Sequence, residues 1–255
     1  SRTASQTSLF GDVADAPHVV APSNVPRWSK KELLQNEKLA LGYYRSDHLF
    51  NVYRDEVRRM VGKKLAELQT ASDIAGRTVS IAGVVLSLRV QNTASGRMGI
   101  VTLADDTGKH EVVVFREAFD RFRHKLREDE LLVVEVRGRQ RYRGPDADGD
   151  NGNGGDNSLR LEALNVLDLN EARNRYARGI RLTCNGQSSG SKLKELLAPH
   201  RQGQCPVAVE YLSNGARCEV KLGPSWQVSI NEDLIRSLSD WLKPENVNIV
   251  YGASE

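Results

Sequence analysis

The sequence predicts a mixed fold, mainly β and then α+β: a helical N-terminal segment, a small five-stranded barrel and a small C-terminal α+β domain. Three observations support this prediction. The stretch from Val79 to Phe115 has strand-like, β-branched runs broken by two tight turns. A short helical pattern and two more strand patterns follow it. Further on, Asn214-Gly215 lies between two alternating runs, which is typical of a β-hairpin.

The first predicted strand, Val79 to Asn92, is long and rich in β-branched residues. Gly83 lies inside it, where a glycine often marks a bulge or a sharp bend. Strict alternation predicts that five apolar residues of this strand share one face. They are Ala82, Val84, Leu86, Leu88 and Val90.

Four more strands and one helix complete the predicted barrel. The strands are expected at 97–104, 110–115, 131–142 and 159–169, and the helix at 117–126. This β-β-β-α-β-β order with a bent first strand is that of an OB-fold, a Greek-key barrel that binds oligonucleotides. Another five-stranded barrel or sandwich is the alternative.

The fourth predicted strand carries a row of arginines on one face, opposite an apolar face. The row consists of Arg137, Arg139, Arg141 and Arg143. Two explanations are equally open: a solvated edge protected from aggregation by its charge, or a track for a phosphate backbone. Four other cations could extend such a track, namely Arg89, Arg97, Lys109 and Arg116. Tyr142 is the main stacking candidate and is predicted to point inward, so sequence-specific readout is not expected.

The segment Gly144–Ser158 is rich in glycine, asparagine and aspartate and is predicted to be a mobile loop. Its aspartates at 146, 148 and 150 resemble a calcium loop only superficially. Asn151 stands where that loop needs glycine, and Asn157 where it needs glutamate. No metal site is therefore predicted.

Before the barrel, residues 1–27 are predicted to be a flexible tail and residues 28–76 a helical connecting segment. Gln6–Phe10 is the apolar island of the tail. It could dock in a pocket of a partner or pack on its own chain, and the residues alone favour neither. A capping box at Ser29 predicts a helix to Tyr44, and a second helix is expected at 51–61. His48 is expected to stabilise the turn between them.

After the barrel (77–170), residues 171–255 are predicted to form the α+β domain. Gly179 is expected to end a short helix, a short strand is expected at 226–230, and Asn231 is expected to cap a helix to Leu242. No acid–base pair, nucleophile constellation or phosphate loop is evident, which favours a docking module over an enzyme.

The bulk composition is only mildly basic, with 36 Lys and Arg against 33 Asp and Glu and a net charge of +3. There is no apolar run of transmembrane length and no signal peptide pattern. The three cysteines, Cys184, Cys205 and Cys218, form no CxxC pair, so reduced thiols in the cytosol are expected.

Several motifs occur together in a distinctive order. They are Gln6–Asp12; Glu37-Lys38 with Leu41–Tyr44 and Ser46–His48; Ala82–Val85 with Arg89-Val90; Thr102–Asp106 with Gly108 and Glu111–Phe115; and Ala172-Arg173 with Tyr176–Gly179. On these motifs nearly the whole chain resembles the C-terminal region of the alpha subunit of bacterial replicative DNA polymerase III.

The resemblance implies three partners and no cofactor. The clamp-binding peptide would be Gln6, Ser8, Leu9 and Phe10, with the last two inserted into the beta sliding clamp. The barrel would lie near single-stranded template DNA, and the last domain would bind the tau subunit of the clamp loader. The family usually has Gly and Pro around the histidine where this chain has Asp47 and Leu49.

The family's catalytic aspartates and phosphoesterase domain belong to other segments, so this chain is expected to be non-catalytic and to act at the replication fork in the bacterial cytoplasm. Two rivals remain. One is the anticodon-binding OB domain of a class II tRNA synthetase, which would require a synthetase catalytic segment. The other is a metal-dependent nuclease using the aspartates of Gly144–Ser158, which are too mobile to hold two metals.

Overall fold

Five strands and one helix form the barrel in the computed structural model. The strands are β1 (Thr78–Thr93), β2 (Gly96–Ala104), β3 (Lys109–Val114), β4 (Leu131–Arg139) and β5 (Arg160–Asp168). A helix of seven residues, Arg116–Phe122, connects β3 to β4. The strands close in the order β1-β2-β3-β5-β4. The predicted OB-fold order is therefore confirmed.

The structure describes part of the chain: residues 28, 30–41, 49–68, 74, 76–93, 96–139, 160–185, 189–213 and 216–252. Several sequence predictions lie outside these residues: the tail peptide with Gln6, Ser8, Leu9 and Phe10, the turn at His48, Arg141 and Arg143, Tyr142, and the loop Gly144–Ser158. Arg139 lies in β4, but its side chain is also outside the described part.

β1 serves two sides of the barrel because it bends. Its first half pairs with β4 from Thr78 to Val84, and its second half pairs with β2 from Val84 to Thr93. Gly83 lies at the bend, where an added Cβ would come within 2.9 Å of the carbonyl oxygen of Ala104. The predicted glycine bend is therefore confirmed, and its reason is a close backbone approach.

The predicted apolar face of β1 is wrong. The core side of the strand is formed by Ile81 and Val85, while Leu86 and Val90 are 44% and 51% exposed. A register shift between Val85 and Ser87 inserts one extra residue, so that Leu88 returns to the core side. A bulge reverses the alternation on either side of it, which a strict period of two cannot anticipate.

The barrel core is continuous with the segment that precedes it. Inward-facing valines, leucines and isoleucines of the five strands pack with Phe119 and Phe122 of the connecting helix. Leu65, Leu68 and Ile74 from the preceding segment belong to the same cluster. On β4, Leu132, Val134 and Val136 face this core, as the alternation predicts.

Six α-helices are found in the described part of the chain. They are α1 (Lys30–Leu41), α2 (Leu49–Met60), α3 (Arg116–Phe122), α4 (Leu169–Tyr176), α5 (Gly190–Leu197) and α6 (Glu232–Leu242). Residues 46–255 form one compact unit, and α1 belongs to the other unit of the chain. Both predicted N-terminal helices are found, within a few residues of their expected bounds.

The second sheet has four strands in the order β8-β7-β6-β9. Their bounds are β6 (Ala177–Asn185), β7 (Val207–Ser213), β8 (Ala216–Lys221) and β9 (Val247–Tyr251). β7 and β8 pair antiparallel up to Ser213 and Ala216, which agrees with the predicted hairpin. α5 and α6 cover one face and form a separate core around Leu182, Leu197 and Leu238.

Two predictions for this part are wrong. The expected strand at 226–230 is a 3₁₀ turn at Pro224–Trp226 followed by a single bridge between Val228 and Cys205. Its apolar residues alternate because they reach the core from an irregular segment. Gly179 does not end α4, because the helix stops at Tyr176 and β6 begins at Ala177. Asn231 does cap α6, as its side chain accepts from the Leu234 N–H.

The turn between β2 and β3 is held by a buried aspartate. The Asp105 carboxylate accepts from the N–H groups of Leu65, Thr107 and Gly108, at 3.0, 2.7 and 2.9 Å. Its second oxygen also lies 2.8 Å from Arg58 of α2. Burial opposes ionisation, but these donors outweigh it and lower the pKa of Asp105 to about 2. The motif residue Asp105 thus fastens α2 and the following 3₁₀ turn to the barrel.

A second buried charge joins α2 to the C-terminal sheet. Arg173 of α4 is 3% exposed and donates two hydrogen bonds of 2.8 Å to Glu56 of α2. It also donates to Glu232 of α6 at 2.8 Å, and Tyr251 of β9 donates to Glu56 at 2.6 Å. Burial alone would lower the pKa of Arg173, but the hydrogen bonds and charge of Glu56 and Glu232 outweigh it and raise that pKa. We call Glu56, Arg173, Glu232 and Tyr251 the ionic bridge.

Changing Asp105→Asn should lower the free energy of unfolding at pH 7 by about 1–3 kcal/mol, because the hydrogen bonds to a charged acceptor are weakened. The folded pKa lies below the ordinary value of 3.8, so this stabilisation is present above about pH 4 and is lost as the pH falls through about 2. Urea unfolding at pH 7 and pH 3, with Asp120→Asn as the exposed control, checks this. A deficit that is the same at both pH values would contradict it.

Changing Arg173→Met should lower the free energy of unfolding by about 3–5 kcal/mol, because it leaves Glu56 buried without its cation. Arg175→Met is the matched control, since the Arg175 side chain is 54% exposed and pairs with Glu135. The Arg175→Met change should lower the free energy of unfolding by less than about 1 kcal/mol. Chemical denaturation followed by far-ultraviolet circular dichroism measures both, and equal losses would refute the importance of the ionic bridge.

Candidate nucleic-acid interface

The outer surface of β1, β2 and β3 is the first candidate surface. Register places Ser87, Thr102 and Glu111 in one row across the three strands, and Arg89, Ile100 and Val113 in the next. These side chains point away from the barrel, because their neighbours Val101 and Val112 belong to its core. In OB-folds the face of strands 2 and 3 binds oligonucleotides. We call this surface the strand face.

The cations of the strand face differ in whether they form an ion pair. Arg89 forms an ion pair with Glu111, and both side chains are more than half exposed. An exposed pair of this kind contributes little to stability, so a phosphate can compete for the arginine. Lys109 lies on the same face, is exposed, and makes no ion pair within the described part of the chain. The strand face is therefore mixed in charge rather than strongly basic.

Phe115 is a residue that the sequence pattern did not single out as a binding candidate. It follows the inward-facing Val114, is 38% exposed, and directly precedes α3. Its place after Val113 in the alternation puts it on the outer side of β3, one row from Arg89. An exposed aromatic ring beside cations can stack on a base. The sequence signal that could have found it is its position between the apolar end of β3 and the start of α3.

Arg97 and Arg116 lie near the tip of the β1–β2 hairpin. Arg97 pairs with Asn92 and lies two residues before Gly99, so both point to the same side of the hairpin. Arg89 pairs with Ile100 and points to the opposite side. Arg116 begins α3 and packs against Gly96, where an added Cβ would lie 2.5 Å from its Cδ. The backbone φ of Gly96 is +115°, which only glycine adopts readily. Both arginines are exposed, and register separates Arg97 from the surface that carries Arg89.

Arg137 lies on the other side of the barrel. It is exposed on β4, where it pairs with Thr78 of β1 and Glu162 of β5. Because Val136 faces the core, Arg137 points outward, as the alternation predicts. Arg139 continues the same strand. The candidate cations are thus divided between the strand face, the hairpin tip and the outer surface of β4, and a single continuous track through all of them is not observed in the described residues.

Other chemistry is not evident in this part of the chain. No group of three or more His, Cys, Asp or Glu side chains that could hold a metal ion occurs among the described residues. The described helices include none that is both long and apolar enough to cross a membrane. Burial lowers the pKa of His110, which lies near Asp105 at the end of the barrel. His110 therefore adds no positive charge to the candidate surface near neutral pH.

Two family profiles match separate parts of the chain. The profile described as OB-fold nucleic acid binding domain matches residues 79–167, which are the barrel. The profile described as DNA polymerase III subunit alpha, C-terminal domain, matches residues 192–242 in the second sheet and its helices.

Curated relatives match almost the whole chain. DNA polymerase III subunit alpha of Pseudomonas aeruginosa is 35% identical over 259 residues, covering 98% of this chain. The same subunit of Vibrio cholerae is 32% identical and that of Escherichia coli strain K12 is 31% identical, each covering 96% of this chain. The chain spans about a fifth of the length of these relatives, 21% in each case.

Similar solved structures cover less than half of the chain, at low identity. A mitochondrial single-stranded DNA binding protein of S. cerevisiae is 22% identical with a TM-score of 0.28, covering 36% of this chain and 93% of its own. Asparaginyl-tRNA synthetase of Pyrococcus horikoshii is 17% identical with a TM-score of 0.29, covering 42% of this chain and 22% of its own. Similarity at this level does not distinguish one ligand from another.

The order of the two matched domains agrees with the motifs that run from the barrel into α4 and β6. The identity to the relatives extends through both domains and through the segment before them. Over nearly its whole length the chain therefore corresponds to the C-terminal region of the bacterial DNA polymerase III alpha subunit, with an OB-fold followed by the C-terminal domain.

Proposed function

We propose that this chain is a non-catalytic region of the polymerase subunit that binds single-stranded template DNA through its barrel and docks the beta sliding clamp and the tau subunit. In this proposal it acts in the bacterial cytoplasm, at the replication fork. The observation that carries the DNA-binding part is the strand face of a closed OB barrel, which has Lys109 at one end of β3, Phe115 after the other end, and Arg89 one row from Phe115.

The chemistry of the strand face suits binding of a single-stranded nucleic acid without sequence preference. Phe115 offers one stacking surface, and Lys109 and Arg89 offer charge for phosphates. The middle rows of the described outer face carry Ser87, Thr102, two buried aliphatic residues and the Arg89–Glu111 ion pair, so few unpaired groups there could read base edges. Affinity would then come from phosphate contacts and stacking, and it would fall as salt is raised.

The two protein partners are proposed from different supports. The clamp is assigned to Gln6–Phe10, which lies outside the described residues and rests on the family motif. Tau is assigned to residues 171–255, which contain the match to the C-terminal domain profile. In that domain the β7–β8 hairpin exposes apolar side chains, with Leu212 and Val220 42% and 49% exposed. Exposed apolar residues of this kind are frequent at protein-binding surfaces.

The tRNA anticodon module is a weaker second candidate. An OB-fold of this order also suits that ligand, and the barrel profile by itself does not separate DNA from RNA. The identity to the polymerase subunit extends well past the barrel into the C-terminal sheet, which an anticodon module alone does not account for. Comparing oligodeoxythymidine with oligouridine of equal length separates the two candidates.

Changing Phe115→Ala should weaken binding of the full chain to oligodeoxythymidine by about 1–3 kcal/mol, because one base loses its stacking partner. Fluorescence anisotropy with a labelled oligonucleotide at fixed salt measures this. Val220→Ala is the matched control, since it also truncates an exposed apolar side chain, but in the C-terminal sheet. Equal affinities of the Phe115 variant and the control would contradict the assignment of the strand face.

The arginines of β4 are tested by the salt dependence of the same titration. Removing charge at Arg137 and Arg139 should reduce the slope of log K against log salt by about 0.7 for each phosphate that is no longer neutralised. An unchanged slope would mean that these residues only keep the outer surface of β4 solvated; β4 is not an edge strand, because it pairs with both β1 and β5.

Changing Leu9→Ala together with Phe10→Ala should abolish retention of the chain by immobilised sliding clamp, because the two apolar anchors of the peptide are removed. Val19→Ala with Val20→Ala is the matched control in the same tail. Both variants should bind tau like the parent chain. Unchanged clamp retention would refute the peptide assignment, and absence of tau binding in the parent would refute the tau assignment.

A further inference from the structure

A cleft opens where the barrel meets the second sheet. It encloses about 660 Å³ and lies between the C-terminal end of α2, the start of β1, and the junction of α4 with β6. Its size is within the range of sites that hold a small ligand or a short piece of a larger one. We call it the junction cleft.

The lining of the junction cleft is cationic. Lys63, Arg175 and Arg178 line it, and its described lining contains no Asp or Glu. Lys63 and Arg178 are exposed and make no ion pair within the described part of the chain. Arg175 pairs with Glu135 at 2.8 Å, so its charge is partly neutralised. Two cations of this kind facing one concave space attract an anion and repel each other when none is bound.

Hydroxyl groups complete the lining. Thr78 and Ser80 of β1 and Tyr176 at the end of α4 all border the cleft. The hydroxyls of Ser80 and Tyr176 lie 2.9 Å apart, which fixes the phenol ring at the wall. Hydroxyls and guanidinium groups together are the donors that commonly contact phosphate and sugar oxygens. A tyrosine ring in the same space can also stack on a base.

The cleft adjoins the outer surface of β4. Thr78, which lines the cleft, is the direct cross-strand partner of Arg137, and Ser80 is the partner of Glu135. All of these side chains point outward, since Val79 and Ile81 between them face the barrel core. Side chains on directly opposed residues of neighbouring strands lie about 5 Å apart at their Cβ atoms. Arg137 is therefore positioned at the rim of the cleft.

We propose that the junction cleft binds the phosphodiester backbone of a single-stranded nucleic acid that continues from the outer surface of β4 at Arg137, with Lys63 and Arg178 as the phosphate-binding residues. This inference rests on the proposed DNA-binding function and adds a second segment to the path of the strand. The bound strand would then contact both the barrel and the first strand of the C-terminal sheet.

A simpler explanation is that these cations compensate the partial negative charge of the helix dipole at the C-terminus of α2, which ends at Met60. That role predicts a change in stability and no change in ligand binding. The two explanations are therefore separated by measuring both quantities on the same variants.

The test uses the full chain with labelled oligodeoxythymidine of about 8 and about 24 nucleotides, lengths that lie within and beyond the site of one OB-fold. Changing Lys63→Ala with Arg178→Ala should weaken binding of the long oligonucleotide about fivefold or more and reduce the slope of log K against log salt by about 1.4. Binding of the short oligonucleotide should be unchanged. Lys194→Ala with Lys221→Ala removes the same charge from exposed sites of the C-terminal sheet and its helices and should change neither. Photocrosslinking with 5-iodouracil in the long oligonucleotide should label the peptide that contains Tyr176.

The outcomes distinguish the cleft from the barrel. If Phe115→Ala weakens binding of both oligonucleotides while the Lys63 and Arg178 variant binds both like the parent chain, the cleft inference is overturned and the barrel function stands. If the parent chain binds no oligonucleotide, the proposed function fails and the cleft inference fails with it. Stabilisation by inorganic phosphate that depends on Lys63 and Arg178, with unchanged long-oligonucleotide binding, would assign the cleft to a free anion and overturn the strand proposal.

Discussion

The interaction on which the rest of this structure depends is the pair of buried hydrogen bonds between Arg173 and Glu56. Glu56 lies on α2, and two residues later Arg58 of the same helix binds Asp105 of the barrel. One short helix therefore carries both connections, one to the barrel turn and one to α4 and the C-terminal sheet. Burial makes each of these charges costly unless it is paired, so the geometry is strongly specified.

This arrangement explains which motif residues serve structure and which are available for binding. Asp105 and Arg173 occur in the motifs that resemble the polymerase family, yet both are engaged in internal hydrogen bonds. The residues left exposed around them are Phe115, Lys109 and Arg137 on the barrel and Lys63 and Arg178 at its junction with the second sheet. The ionic bridge holds the second of these groups in place, because Lys63 follows α2 and Arg178 follows α4.

Much of the fold could be predicted because its signals are local. The strand order, the bend at Gly83, the hairpin around 214–215 and the cap at Asn231 each follow from a few adjacent residues. The bulge after Val85 could not, because alternation continues in the sequence while the register shifts against β2. The strand expected at 226–230 failed for a related reason, since apolar alternation also arises in an irregular segment that reaches a core.

The candidate site was less predictable than the fold. That Arg97 lies on the side of the β1–β2 hairpin opposite to Arg89 follows from the hairpin register, which the sequence alone does not give. The partner of Arg173 lies 117 residues away in sequence, and no local pattern joins the two. The junction cleft arises only when three distant segments meet, so neither Lys63 nor Arg178 carries a recognisable signal alone. The predicted domain boundaries at 27, 76 and 170 remain predictions, as does the full arginine row of β4.

The most direct test of the central claim, that the strand face of the barrel holds a single strand, is a map of amide chemical shifts of the full chain with and without oligodeoxythymidine. We expect the largest changes in β2, β3 and the start of α3 around Phe115, and small changes in β7 and β8. Shifts confined to the second sheet, or spread evenly over the chain, would contradict the claim.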